Sequence, residues 1–399
     1  MTKSPVLQPL TVGLVTAFVG YASSFAVILK GLTAVGASDA EAASGLMALS
    51  IAMGVAGIAL SAWRRMPISA AWSTPGGALL VATGAAAGGF PAAVGAFLVV
   101  GVLIVVAGLF RPFGRLVAAI PSALANAMLA GVLFGLCLAP IKALIETPRP
   151  ASAVILTWLV VSRWKRLYAT PAAAVVAALL IGFSGLGEGA SLSALTPQWV
   201  WTTPTFSFDA VVSLALPLFI VTMAAQNLPG LAVLRAYDYR PEPGPLIAAT
   251  GAFTVLAAPF GGHAVCLSSI TAALCASPDA SDDPTRRWIA AASAGGACVV
   301  FGLLAGGVTR LVAGSPILVE AVAGLALLNA FGAALHNALA DPSEREAALA
   351  TFLVSASGVG FYGIGGAFWG LVVGGAILVL TRAGPRRAKR PERPAEKAT

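Results

Sequence analysis

The chain has 399 residues, of which 58% are hydrophobic and only 10% charged, and its mean hydropathy is +0.90. A soluble domain of this size needs far more charge to cover its surface, so a globular fold solvated by water is excluded. The net charge of +8 suits cytoplasmic loops of a membrane protein, where Lys and Arg collect, better than a nucleic-acid partner.

The apolar content recurs in blocks of roughly 15–25 residues, about the length a helix needs to cross the hydrocarbon core. Fourteen segments are predicted, at 9–30, 38–62, 68–87, 92–110, 118–140, 151–163, 169–186, 208–233, 244–259, 263–276, 288–310, 316–338, 345–358 and 363–382. Most of the chain therefore has membrane lipid as its neighbour. The 44 glycines fit close helix contact, which in a bilayer relies on small residues. Residues 1–10 are short and polar, and no small-residue cleavage site follows, so no removable signal peptide is expected. Cys137, Cys266, Cys275 and Cys298 all fall in apolar segments without metal-ligand spacing. They read as buried small side chains, with no disulfide and no metal site.

Placing the N-terminus in the cytoplasm and alternating puts 20 of the 24 basic residues on the cytoplasmic side. Lys30, Lys142, Arg149 and Arg310 are the exceptions. A wrong segment count would scramble this segregation, so both termini are expected inside. Residues 188–207 form an outer loop whose Trp199 and Trp201 suit the interface. Residues 384–399 read as a disordered basic cytoplasmic tail.

Two segments are unusual. The third opens on Pro67–Gly77 (PISAAWSTPGG) and the tenth on Gly261–Thr271 (GGHAVCLSSIT). Each begins extended and Gly-, Pro- or polar-marked, and its helical part is too short to span alone. Paired interruptions at equivalent places in two halves point to a transporter binding site. Seven segments per half is an odd number, so the halves insert with opposite orientation, as an inverted repeat.

Thr74-Pro75 reads as a helix start, with Thr able to cap and Pro suited to the first turn. A helix beginning at mid-membrane turns unpaired N–H groups and a positive dipole end inward, which suits a carboxylate. A proline kink satisfied by neighbouring helices is the alternative. His263 follows two glycines inside a membrane segment, where an ionisable group is a functional candidate by default. It is read as a substrate donor or a proton carrier, the alternative being a neutral imidazole bonded to a backbone carbonyl. Gln226 and Asn227 are adjacent amides in an apolar segment and must find partners. They either bind substrate or tie the eighth segment to its neighbours. Tyr21, Ser23 and Ser24 carry the same two readings. Glu320 is a second proton candidate, unless it faces an outer vestibule or neutralises Arg310. Asp39 and Glu41 suit a helix start. No GxxxxGK[ST], HExxH or Ser/His/Asp set supports an ATP-driven pump or a membrane enzyme.

Gly20–Val27 (GYASSFAV), Gly31–Ser38 (GLTAVGAS), Met66–Gly76 (MPISAAWSTPG), Gln226–Arg235 (QNLPGLAVLR), Ala258–Ala264 (APFGGHA) and Ala323–Leu328 (AGLALL) resemble the BenE-type benzoate/proton symporters. The resemblance covers nearly the whole chain. It implies an all-α membrane fold of seven-plus-seven inverted repeats, similar to the uracil and ascorbate transporter group. Segments 1–4 (1–110) and 8–11 (208–313) would form a core domain, and segments 5–7 (111–187) and 12–14 (314–383) a gate domain. The core would move past the gate by an elevator-like or rocking motion. In the uracil carriers two glutamates hold substrate, at positions that resemble Gln226 and His263 here. A neutral amide and a histidine in their place suit an anionic substrate. The chain departs from the family pattern at Cys266, where Asn is expected, which leaves fine specificity open.

The resemblance thus implies proton-coupled import of benzoate or a related aromatic carboxylate across a bacterial inner membrane, with no cofactor and with a homodimer as the candidate assembly. The carboxylate would lie between Thr74–Gly76 and Leu267–Ser269, near Ser73 and Ser268. His263 would bind it or carry the coupled proton, and Gln226 and Asn227 would complete the polar shell. Tyr21 and Ser24 are further binding candidates, and Trp72 or aromatics of the gate domain would face the ring. Another organic anion or a nucleobase, and a passive anion channel, are the alternatives.

Overall fold

The computed structural model describes residues 6–86, 88–118, 120–183, 198–361 and 364–383. The basic tail and residues 188–197 of the outer loop lie outside the described residues. In chain order the elements are α1 (Leu7–Ala34), α2 (Asp39–Arg64), β1 (Ala70–Trp72), α3 (Thr74–Thr83), α4 (Gly89–Leu109), α5 (Arg111–Ala118), α6 (Ser122–Cys137), α7 (Ala139–Glu146), α8 (Pro148–Trp164) and α9 (Arg166–Phe183). A continuous helix α10 follows (Phe208–Ala236). Then come α11 (Pro243–Ala257), β2 (Val265–Leu267), α12 (Ile270–Ala276), α13 (Trp288–Leu303), α14 (Ala305–Gly314), α15 (Pro316–Ala338), α16 (Arg345–Ala356) and α17 (Gly366–Ala383).

Among the described residues, eight helices are long and apolar enough to cross a membrane. Many of their large apolar side chains point outward, including Leu156 and Val160 on α8 and Leu179 on α9. Such a surface is stable only against lipid. The predicted segment at 288–310 breaks at Leu304, into α13 and α14.

Local chemistry sets the ends. Ser38 caps α2 by accepting from Glu41 N–H, while the Glu41 carboxylate accepts from Ser38 N–H at 2.9 Å. This reciprocal pair is the role predicted for acids at that helix start. Arg65 stops α2 in the left-handed region (φ 51°), and Pro67 prevents its resumption.

The two interrupted segments meet each other. β1 and β2 pair antiparallel, with Ala70 opposite Leu267 and Trp72 opposite Val265. Ser73 N–H to Ala264 O (3.0 Å) and Ser268 N–H to Ser69 O (2.9 Å) extend the ladder at both ends. Side chains satisfy the outer edges. Leu267 N–H donates to Asn227 Oδ1 at 2.8 Å, Val265 N–H to Thr254 Oγ1 at 2.9 Å, and Ser61 Oγ to Ile68 O at 2.8 Å. Non-helical backbone at membrane depth is tolerated only when satisfied in this way.

Around this ribbon, α2 lies along α13 and α4 along α11. Small residues permit both contacts. A Cβ on Gly54 would come within 2.5 Å of Gly295 O, and one on Gly251 within 2.8 Å of Gly101 O. A second group packs α6 on α15 and α16, α8 on α9, and α16 on α17. Helix α1 touches both groups, meeting α13 and α3 as well as α15 and α9. Residues 198–207 are not merely interfacial, as predicted, but form an extended strap. Val200 N–H donates to Ser44 Oγ, Thr202 N–H to Pro259 O, and Thr205 N–H to Pro91 O. Trp199 and Trp201 both meet the Phe260 ring edge-on.

Candidate functional site

A cavity of about 180 Å³ lies where β1, α3 and α12 begin or end, against α1, α2, α10 and α13. Its opposite wall is Leu133 of α6 and Ala326, Leu327 and Ala330 of α15. It therefore sits between the two packing groups. An apolar cavity of about 150 Å³ holds benzene, so this one has room for a single ring and a small polar group.

The first half-helix is built by Ser73. Its extended backbone precedes α3, and its Oγ accepts from Gly76 N–H at 3.1 Å. The cap is thus Ser73 rather than Thr74, because Thr74 is already helical and Pro75 follows it in the first turn. With Gly76 N–H taken and Pro75 lacking one, Thr74 supplies the remaining first-turn donor, and Thr74 lines the cavity. The second half-helix starts at Ile270, a residue beyond the predicted Leu267–Ser269. Ser268 Oγ accepts from Thr271 N–H at 3.3 Å.

The aromatic wall comes from α1 and β1. Trp72 Nε1–H donates to Ser24 Oγ at 2.9 Å, and Ser24 Oγ donates to Gly20 O at 2.8 Å. The Tyr21 ring lies 5.0 Å from Trp72 and 5.1 Å from Phe301. Ser24 thus bonds its own helix and also orients Trp72. Gln226 reaches the cavity from Met223–Asn227, a π turn within α10. Such bulges rotate a side chain out of its normal helical register.

Of the predicted site residues, Tyr21, Ser24, Trp72, Thr74, Gln226 and Ser268 line the cavity. Ser73, Gly76, Asn227, His263, Leu267 and Ser269 are not in its wall. Asn227 is fully buried and holds β2 through Leu267, the tying role foreseen as one of its two readings. His263 is also fully buried, with Nε2 2.9 Å from Ser73 O. A carbonyl can only accept, so Nε2 carries the proton and Nδ1 presents a lone pair, which has no partner. Glu320 pairs with Lys30 at 2.5 Å, and the Arg310 side chain lies outside the described ones. Lys30 belongs to α1 rather than to an outer loop. The pair lines a different cavity.

Sequence reasoning missed Ser69 and Thr271. Both line the cavity, and Ser69 Oγ and Thr271 Oγ1 are buried without a hydrogen-bond partner. Hydroxyls in the extended stretches were the available signal. No Lys, Arg, His, Asp or Glu lines the cavity among the described residues. Its described polar groups are uncharged, and its aromatic faces are those of Tyr21 and Trp72. The four cysteines are free thiols.

A buried, two-stranded crossing of short strands inside an apolar helix bundle, with a ligand-sized cavity beside it, defines a multi-pass membrane transporter. The chain belongs to the BenE family, benzoate membrane transport protein, whose sequence model matches residues 5–380. It is 40% identical to the inner membrane protein YdcO of Escherichia coli (strain K12) over 374 residues, 93% of this chain and 95% of the relative. It is 32% identical to the benzoate membrane transport protein of Acinetobacter baylyi (strain ATCC 33305 / BD413 / ADP1), over 91% of this chain and 92% of the relative. The fold is similar to the murine anion transporter Slc26a9 in its inward-facing state, with a TM-score of 0.63 at 14% identity. That match covers 96% of this chain and 69% of the other. It is also similar to the transmembrane domain of the cyanobacterial bicarbonate transporter BicA, with a TM-score of 0.57 at 12% identity, covering 96% and 99%.

Proposed function

We propose that the protein imports benzoate or a related aromatic carboxylate across the bacterial inner membrane, coupled to protons. The observation that carries this reading is the cavity itself. It has an aromatic wall of Tyr21 and Trp72, uncharged donors at Thr74, Gln226 and Ser268, and space for one ring. In this reading the carboxylate takes N–H and O–H donors from Thr74, Gln226 and Ser268, and the ring lies against Trp72 and Tyr21. Ser73, Gly76, Asn227, Leu267 and Ser269 hold the two half-helices in place. With no cation in the wall, an anion is best accommodated together with a proton, because a lone charge in a low dielectric is costly. His263, whose Nδ1 lone pair is free, is the proton candidate nearest the capped half-helix. Glu320 is the second.

The reading includes fourteen spans in two inverted halves. Its support is the packing. Advancing each segment by seven exchanges the α2–α13 contact with α11–α4, and the α8–α9 contact with α16–α17. The glycine pairs Gly54/Gly295 and Gly101/Gly251 exchange in the same way. Segments 1–4 and 8–11 then form the core and segments 5–7 and 12–14 the gate, with the cavity between them. The cavity lies against the middle of α1 (Thr16–Ser24 of Leu7–Ala34). Elevator-like or rocking motion of core against gate would open it to each side of the membrane in turn.

Uptake of labelled benzoate into proteoliposomes under an imposed inward proton gradient tests the assignment. Accumulation that the gradient does not drive would remove the coupling, and no uptake at all would remove the substrate. A second reading has support in the uncharged wall: a neutral nucleobase would also suit Gln226 and the hydroxyls. A thermal-shift panel of aromatic acids, aliphatic acids and nucleobases separates the two, since a ligand of the folded state raises stability by mass action.

A further inference from the structure

A second cavity of about 330 Å³ lies further along α1, lined by Ala26, Leu29, Lys30 and Thr33 together with Asp39, Thr309, Pro316 and Glu320. Tyr21 and Ser24 face the first cavity, and Lys30 lies nine residues beyond Tyr21, about 14 Å along a helix. The first chamber thus lies at the middle of α1 and the second toward its C-terminal end. Between core and gate, the second is bridged, among the described residues, by one ion pair: Lys30 Nζ on α1 to Glu320 Oε2 on α15, at 2.5 Å. Both side chains are about one third exposed (31% and 30%), so water reaches the pair.

We propose that this second chamber is the entry vestibule for the aromatic carboxylate, with Lys30 as its first binding group. Glu320 already shows what Lys30 accepts: a carboxylate at contact distance. An incoming carboxylate competes with Glu320 for Lys30, and taking its place releases α1 from α15. The acid that closes the vestibule is therefore an intramolecular stand-in for the substrate. Among the described residues, Asp39 is the other charged side chain in the lining, exposed at the start of α2. The proposal rests on the carrier reading above, with the N-terminus inside and α1 moving relative to α15.

Opposite substitutions test it in full-length protein in proteoliposomes. Lys30→Gln removes the receiving cation and is expected to raise the KM for external benzoate about fivefold, the size of one exposed ion pair. Glu320→Gln removes the competitor and is expected to lower that KM by a similar factor. A pair that merely ties two helices together would shift both variants in the same direction, and that result, or no shift in either, overturns the proposal. A readout without substrate covers the case in which benzoate is not the cargo. Ala26 is buried and lines the vestibule. Ala26→Cys is expected to react with an impermeant maleimide several-fold faster when Glu320→Gln is added. Unchanged labelling would sink the vestibule reading even where transport of another anion is found. Lys30→Arg, which keeps the charge, is expected to retain near-native KM and guards against a folding defect in Lys30→Gln.

Discussion

His263 Nε2 lies 2.9 Å from the carbonyl oxygen of Ser73, and neither residue lines the cavity beside Trp72. This bond joins the loop that opens the second interrupted segment to the residue that caps the first half-helix. Ser73 is the common node. Its N–H donates to Ala264 O at 3.0 Å, and its Oγ receives both Gly76 N–H and the Thr222 hydroxyl. A change at His263 therefore reaches the cavity through the cap of α3.

His263→Leu removes one of two donors to the Ser73 carbonyl, which keeps Gly77 N–H at 2.8 Å, so the loss is that of one hydrogen bond, about 0.5–1.5 kcal/mol. Thermal unfolding of purified protein should show that loss, and His263→Gln, which retains a donor, should recover part of it. If His263 carries the coupled proton, His263→Gln keeps substrate counterflow and loses accumulation driven by a pH gradient. A parallel fall in both activities would assign the imidazole to structure alone.

Trp72→Phe keeps an aromatic face but deletes the Nε1–H bond to Ser24. One neutral hydrogen bond contributes about 1 kcal/mol, so KM for the aromatic acid should rise about fivefold with kcat little changed. Ser24→Ala should reproduce that change. Initial-rate uptake measures both, and a native KM in the two variants would mean that this bond does not orient the binding wall.

Gly295→Ala places a methyl group 2.5 Å from Gly54 O, in the contact between α2 and α13. The backbones must separate, and overpacking of this kind costs about 1–3 kcal/mol. The expected outcome is a lower melting temperature and less monodisperse protein on gel filtration. Gly296→Ala is the control, since a Cβ there meets nothing within 4 Å.

Asn227→Ala leaves the buried Leu267 N–H without its acceptor and should destabilise by about 1–3 kcal/mol. Gln226→Ala, by contrast, removes an amide from the cavity wall with no such loss. Melting temperature should fall for the first and hold for the second, while transport weakens in both. Equal melting losses would place Gln226 among the structural groups.

Adjacent in sequence, Gln226 and Asn227 show how far the sequence could be read. Both were marked as amides needing partners in an apolar segment, which follows from desolvation alone. Which of them faces the cavity depends on the π turn at Met223–Asn227, and one extra residue in a turn leaves no signature in composition. The cap shows the same limit. A helix start near Thr74 was legible from Thr-Pro-Gly, but Ser73 takes the role because its own backbone is extended. Glu320 was recognised as a charge within a span, yet its partner Lys30 is 290 positions away in the chain.

Hydropathy, charge segregation and the paired Gly/Pro interruptions were determined by sequence alone, because each follows from the solvent a residue must face or from the backbone angles it allows. Those local constraints marked the apolar segments and the two broken ones. Only the tertiary structure decided that the broken segments pair as one antiparallel ribbon, that His263 stands behind the cap instead of in the cavity wall, and that Lys30 and Glu320 close a second chamber. These are contacts between residues far apart in the chain. Distance and side-chain direction, set by how whole helices pack, decide them, and no local pattern encodes either.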